Sequence, residues 1–427
     1  MKSRKRRMLG TFLATLTFAG LLVGESVSAA SGSTARSGSA SPTPIASPAR
    51  ATPTAADTAA LNRYVPASLR RYYSGFWNWV RLGPNPYANW TPPQAPWHLC
   101  YSSAYQGNSW RVEGLKVAQE IFGQLKAKGL VKGSLTTADA NNSATLQATQ
   151  INDMVQEDCQ VIFVMQPPST GVCQAYANAR AANVLVISME TGTDCTTDIQ
   201  VDFEEYEAGA ITAQWLINKL HGHGNILMCD GIPGVAASDT RQAGATATFA
   251  KAKGIKIFSI NSQWTASTGK TQTAEFLATH PQTISGVWDG GTCAVPAGEA
   301  FQQAGRPLPY ITGFEGGGYW LAYWKQYLKT GSIGFPQSGG QAVLVPFLVA
   351  LHLLAGEKMA GNAVLYPLPT ITQANFRQYY RPSMTLNSVC NAQPAGGNPL
   401  PSSYLSTLFS GGKPAVQVRS PLLQHGC

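Results

Sequence analysis

Charge is scarce in this chain. Only 12% of its 427 residues are Asp, Glu, Lys or Arg, against about 25% in a typical globular domain. The formal net charge is +9, but Lys2, Arg4, Lys5, Arg6 and Arg7 crowd the start, and the rest of the surplus is spread thinly. That pattern argues against nucleic-acid binding. Long apolar runs are missing after Val23. The best, residues 342–355, contains Pro346 and His352 and is too short to span a bilayer, so it predicts a buried helix. Catalytic signatures are missing as well: there is no GxSxG, no HExxH, and no GxGxxG after a strand. Gly269-Lys270-Thr271 resembles the end of a P-loop, but Trp264 stands where the loop needs glycine, so the triplet predicts a helix start. No CxxC occurs, and the His spacings do not suit zinc. His221-Gly222-His223 reads as a helix-to-strand turn rather than a metal pair. No metal or cofactor is expected.

The amino terminus has the shape of a secretory signal peptide over residues 1–29. Lys2 to Arg7 is basic, residues 8–23 are apolar, and Val27-Ser28-Ala29 precedes a cut near Ala30. An uncleaved anchor is the alternative, and Arg6-Arg7 leaves a twin-arginine route open. No Cys follows the cut, so no lipoprotein is expected. Residues 30–60, almost entirely Ala, Ser, Thr, Pro and Gly, predict a disordered linker. Residues 61–97 carry Tyr64, Tyr72, Tyr73, Phe76, Trp77, Trp79, Tyr87, Trp90 and Trp97. They predict an extension laid across the main fold, with partner docking as the alternative. Eight cysteines suit an exported chain, and at least two disulfides are expected, Cys390–Cys427 first and Cys173–Cys195 second.

From residue 97 strands and helices alternate. Strands are expected at 98–102, 133–137, 161–165, 184–189, 226–229, 256–261, 286–289 and 310–312. Helices are expected at 112–128, 144–156, 173–182, 207–221, 239–252, 268–279 and 295–304. Runs such as Val161-Ile162-Phe163-Val164-Met165 lack alternation, as in parallel strands buried on both faces. The fold class is therefore α/β, with two doubly wound parallel-sheet lobes. The expected division is 98–203 plus 337–366 for lobe 1, 204–336 for lobe 2, and 367–427 for a C-terminal hinge segment and tail. Ligands in such sheets bind at the carboxyl ends of strands. Placed there are Trp110, Arg111, Glu190, the Gly231-Ile232-Pro233-Gly234 turn with Arg241, Trp288, Asp289 and Glu315. Carboxylates and arginines pair with hydroxyls while aromatic faces cover C–H surfaces, which suits a polyhydroxylated ring.

Between about 97 and 373 the chain resembles the ribose-binding type of periplasmic solute-binding proteins, which serve ABC transporters. Asn108-Ser109-Trp110-Arg111 is similar to that family's first binding loop in its galactofuranose-binding branch. Ser188-Met189-Glu190 stands at a sugar-binding Asp, Gly231 through Arg241 and Gly244 resembles the Gly-turn, and Gly313-Phe314-Glu315 resembles Gly-Phe-Asp. Gln337 stands at a hinge Gln. The chain departs from the pattern at Thr191, at Gly290-Gly291 after Asp289, and by carrying Glu at 190 and 315. The resemblance implies the type 1 periplasmic binding protein fold, with three hinge crossings near 201–204, 335–337 and 365–370. It implies a ligand set of Asn108, Trp110, Arg111, Glu190, Arg241, Asp289, Glu315 and Gln337. It further implies a monomeric, non-enzymatic binding protein, exported to the periplasm or cell surface, which delivers a sugar or polyol to an ABC permease. A receptor module for a membrane signalling protein and a glycoside-active enzyme using Glu190 and Glu315 are the alternatives.

Overall fold

The computed structural model describes residues 52–421 apart from 169, 315 and 393–399. The expected signal peptide, most of the expected linker, Glu315 and Cys427 lie outside the described residues.

A helix α1 (Ala55–Tyr64) opens the described chain, closed at its start by a Thr54–Asp57 capping box. It begins inside the stretch expected to be linker, because Thr54 and Asp57 supply that cap. The first lobe alternates β1 (Leu99–Ser103), α2 (Ser109–Ala127), β2 (Thr136–Asp139), α3 (Ala144–Gln156), β3 (Val161–Met165), α4 (Cys173–Ala181), β4 (Leu185–Met189) and β5 (Ile199–Phe203). The second holds α5 (Glu205–Lys219), β6 (His223–Asp230), α6 (Ala236–Phe249), β7 (Gly254–Asn261), α7 (Ala266–Thr279), β8 (Gly286–Asp289), α8 (Ala294–Gln303), β9 (Tyr310–Ile311) and α9 (Gly318–Tyr327). After β10 (Ile333–Gly334) the chain returns through α10 (Gly339–Leu354) and β11 (Ala363–Tyr366). It then adds β12 (Ile371–Thr372), α11 (Phe376–Tyr379) and α12 (Tyr404–Leu408).

The first sheet is six-stranded in the order β11-β5-β4-β3-β1-β2, the second four-stranded in the order β7-β6-β8-β9. Every pairing in both is parallel, with Val161 opposite Leu185 in one and Leu227 opposite Val287 in the other. β3 and β4 are buried at every position, as runs covered by helices on both faces must be. A short antiparallel pair, β10 with β12, joins the crossings.

Two close helix contacts set the positions that matter below. A Cβ on Gly339 would lie 1.7 Å from the Trp110 carbonyl oxygen, so only glycine lets α10 meet the first turn of α2. A Cβ on Gly209 would lie 2.0 Å from the Arg241 carbonyl oxygen, and this contact lets α5 lie against α6. The aromatic extension packs on the first lobe: the Tyr73 hydroxyl donates to the Ala363 carbonyl at 2.8 Å, and Trp90 Nε1 to the Asn183 carbonyl at 3.0 Å. Cys100–Cys159, Cys173–Cys195 and Cys229–Cys293 are disulfides, so the second expected pair is present together with two that spacing did not single out. The first expected pair falls on Cys427, outside the described residues. His98 lies beside Cys100 and Cys159, but both sulfurs are bonded to each other and offer no thiolate to a metal. His221 and Gly222 both have positive φ, the turn expected there.

Candidate functional site

The residues expected to hold a ligand fall into four local constellations. The first crosses from lobe to hinge. Asn108 caps α2: its side-chain oxygen accepts from the Arg111 N–H at 3.0 Å, and its Nδ2 donates to the Tyr105 hydroxyl at 2.9 Å. The cap points the first turn of α2 so that Trp110 Nε1 donates to Gln337 Oε1 at 3.2 Å. Gln337 Nε2 then donates to Glu190 Oε2 at 3.0 Å, and the Tyr366 hydroxyl donates to Glu190 Oε1 at 2.5 Å. Trp110, Glu190 and Gln337 thus form one hydrogen-bonded line.

Burial pushes the Glu190 carboxyl up to about 8, against the opposing hydrogen bond from Tyr366, and the Glu205 carboxylate adds to the rise. The group therefore holds its proton at neutral pH.

Arg111 forms the second. Its guanidinium lies 4.1 Å from the Tyr105 ring centroid and donates to Gln166 Oε1 and, at 3.3 Å, to Ser103 Oγ. Burial draws its pKa down.

The third surrounds Arg241. Its Nε and Nη2 grip both oxygens of Glu205 at 2.5 and 2.8 Å, its Nη1 donates to the Gly290 carbonyl at 2.6 Å, and it lies 3.6 Å over the Phe314 ring. Expected as a ligand-gripping cation, Arg241 spends much of its donor capacity on Glu205. Both are buried, with Arg241 4% exposed and Glu205 0%. Burial raises the Glu205 pKa and Arg241 opposes the rise.

The fourth is Asp289. Its carboxylate accepts from three backbone N–H groups, those of Gly291, Cys293 and Phe314, at 2.9, 2.9 and 3.0 Å. It shapes the loops after β8 and β9, which carry Gly290 and Phe314. Glu315 lies outside the described residues. Trp288 turns away from this face: its Nε1 donates to Thr212 Oγ1 at 2.9 Å under α5, because neighbours on a strand face opposite sides.

Four side chains were not anticipated. Gln166 and Trp264 follow β3 and β7, and the strand-end rule that nominated Glu190 applies to them equally. Glu205 opens α5, and Tyr366 ends β11. Trp264 donates from Nε1 to the Gly290 carbonyl at 3.3 Å and lies 5.6 Å from the Arg241 guanidinium. Gln166, Glu190, Trp264 and Thr292 all have positive φ, between 45° and 64°. Each costs about 1 kcal/mol of backbone strain for a residue with a Cβ. Four such residues at strand carboxyl ends mark where the fold spends stability on placement.

Taken together, the geometry is that of two parallel-sheet lobes presenting buried polar and aromatic groups to each other. Residues 99–358 match the family described as "Periplasmic binding protein domain", and the chain belongs to that family, whose members act outside the cytoplasm. The chain is 27% identical over 246 residues to the xylitol-binding protein of Mycolicibacterium smegmatis, covering 55% of this chain and 68% of that one. It is 21% identical over 179 residues to the ribose import binding protein of Bacillus subtilis, covering 42% and 58%. In fold it is similar to an ABC transporter solute-binding protein from Thermobispora bispora, with a TM-score of 0.63 and 20% identity, covering 78% of this chain and 100% of that one. A solute-binding protein from Bacillus halodurans with bound myo-inositol has a TM-score of 0.59 and 18% identity, covering 67% and 98%.

Proposed function

We propose that this protein is the extracytoplasmic substrate-binding component of an ABC transporter and captures a neutral sugar or polyol between its lobes. The observation that carries this reading is the meeting of Trp110, Gln337 and Glu190 in one buried line, with the Arg241–Glu205 pair on the facing lobe. Glu190, Asp202, Glu205, Asp230 and Asp289 are buried with only Arg111 and Arg241 as buried cations among the described residues. Buried cations do not outnumber the acidic groups there, and Arg241 is paired with Glu205, whereas a neutral polyol exchanges hydroxyl hydrogen bonds with protonated and ionised carboxyl groups alike. Lobes 98–203 plus 337–366 and 204–336 would close about the three crossings, with ligand shifting the population toward closure. The reading needs no nucleophile or proton transfer, so the protein acts as a carrier and hands its ligand to a membrane permease as a monomer. Export would remove the signal peptide and leave a mature amino terminus between residues 28 and 32, which sequencing of the exported chain checks.

A thermal-shift screen of monosaccharides, disaccharides, polyols and sugar acids tests the ligand class. A neutral sugar or polyol raises the melting temperature and sugar acids do not. Stabilisation by sugar acids alone overturns the reading.

A further inference from the structure

The chain changes lobes once more after the three hinge crossings. Ile371, Phe376, Met384 and Ala392 pack in the second-lobe core, with Trp320 and Phe301. Leu400, Tyr404, Leu408 and Phe409 pack in the first-lobe core, with Val343 and Phe347. At the end of its second-lobe stretch the tail moors itself to the loop after β9. The Gly318 N–H donates to the Cys390 carbonyl at 2.7 Å, the Ala392 N–H donates to the Gly316 carbonyl at 2.6 Å, and Gly317 and Asn391 pair antiparallel. From that mooring Asn391 Nδ2 donates to Glu113 Oε2 on α2, in the first lobe. Both side chains are buried, Asn391 at 5% exposure and Glu113 at 8%.

The two ends of this bond matter. Glu113 is on the helix whose first turn carries Trp110 and Arg111. The mooring loop begins two residues after Phe314, the ring on which Arg241 stacks. The bond therefore ties one candidate binding wall directly to the other. Asn391 also lies beyond the residues, 99–358, that match the family.

We propose that the Asn391–Glu113 bond is a latch: it holds the lobes closed, must break before ligand enters or leaves, and so lets the C-terminal tail set the opening equilibrium. Both residues are positioning residues, and the proposal rests on the two-lobe closure described above. This buried hydrogen bond is shielded from the water that would replace it on opening. Its loss shifts the closed-to-open ratio by about tenfold or more.

Small-angle X-ray scattering of the ligand-free full chain tests the latch without knowledge of the ligand. The ligand-free wild type is expected to be more compact than variants that lack the bond. Asn391→Ala and Glu113→Ala are each expected to enlarge the radius of gyration. The double variant is expected to enlarge it by less than the sum of the two single changes, because both remove the bond they share. Glu113→Gln keeps an acceptor oxygen and should fall between, and it is the fallback where an alanine variant does not melt cooperatively. Unchanged profiles in folded variants, or an additive double variant, overturn the latch. Since no ligand is used, failure of the sugar screen leaves this result standing, and an inert latch leaves the ligand reading standing.

Discussion

Replacing Glu190 by Gln tests the electrostatics of the cleft most directly. Glutamine keeps the shape of the protonated acid and cannot ionise, so the variant is fixed in the neutral form that burial favours. Burial raises the Glu190 carboxyl from 4.5 in the unfolded chain to about 8 in the fold. The folded protein therefore binds the proton more tightly than the unfolded chain does. Stability conferred by that proton is fully present below pH 4.5 and is lost as pH rises toward 8. At pH 7 the wild type has forfeited up to about 3 kcal/mol through this one group, at 1.36 kcal/mol per pH unit of separation. Glu190→Gln forfeits nothing. Urea unfolding of both proteins at pH 5, 6, 7 and 8 should find them nearly equal at pH 5. The variant should then gain by a margin that widens to about 1–3 kcal/mol at pH 7–8. A difference that is constant with pH would refute the argument, because it would mean that Glu190 is already ionised across this window in the fold, as it is in the unfolded chain.

Arg241→Ala leaves Glu205 buried beside Glu190 and Asp202 without its cation, which should cost about 3–5 kcal/mol in urea unfolding; calorimetry with the ligand found by screening should also find a loss of about 30-fold or more. Gly339→Ala drives a methyl group into the Trp110 carbonyl and should separate α2 from α10, lowering stability by about 2 kcal/mol or more and weakening ligand binding with it. Changing Cys229 and Cys293 together to Ala opens a loop of sequence separation 64 and should cost about 4 kcal/mol on the chain-entropy account, read as a fall in urea midpoint that reductant does not deepen at this pair.

The architecture was legible because parallel strands covered on both faces must be apolar throughout. The expected strands at 161–165 and 286–289 coincide with β3 and β8, and the buried helix expected near 342–355 is α10, begun three residues earlier by the Ser338 cap. Helix starts were less legible. α6 begins at Ala236 rather than at 239 and α5 at Glu205 rather than at 207, since neither helix has a side-chain cap to mark its start. β10 and β12 are two residues each, too short for any periodicity to register.

For the candidate site, local sequence determined which groups stand at strand carboxyl ends: Glu190 after β4, Arg241 one turn beyond the Gly-turn, Asp289 closing β8. Tertiary structure alone decided their partners. Glu205 lies 36 residues from Arg241, Gln337 lies 147 from Glu190 and 227 from Trp110, and Asn391 lies 278 from Glu113. No spacing rule spans such distances, because a side chain's partner is set by which helices pack and how closely. Here Gly209 and Gly339 set that closeness, and their identity as contact points is visible only once the helices they join are in place.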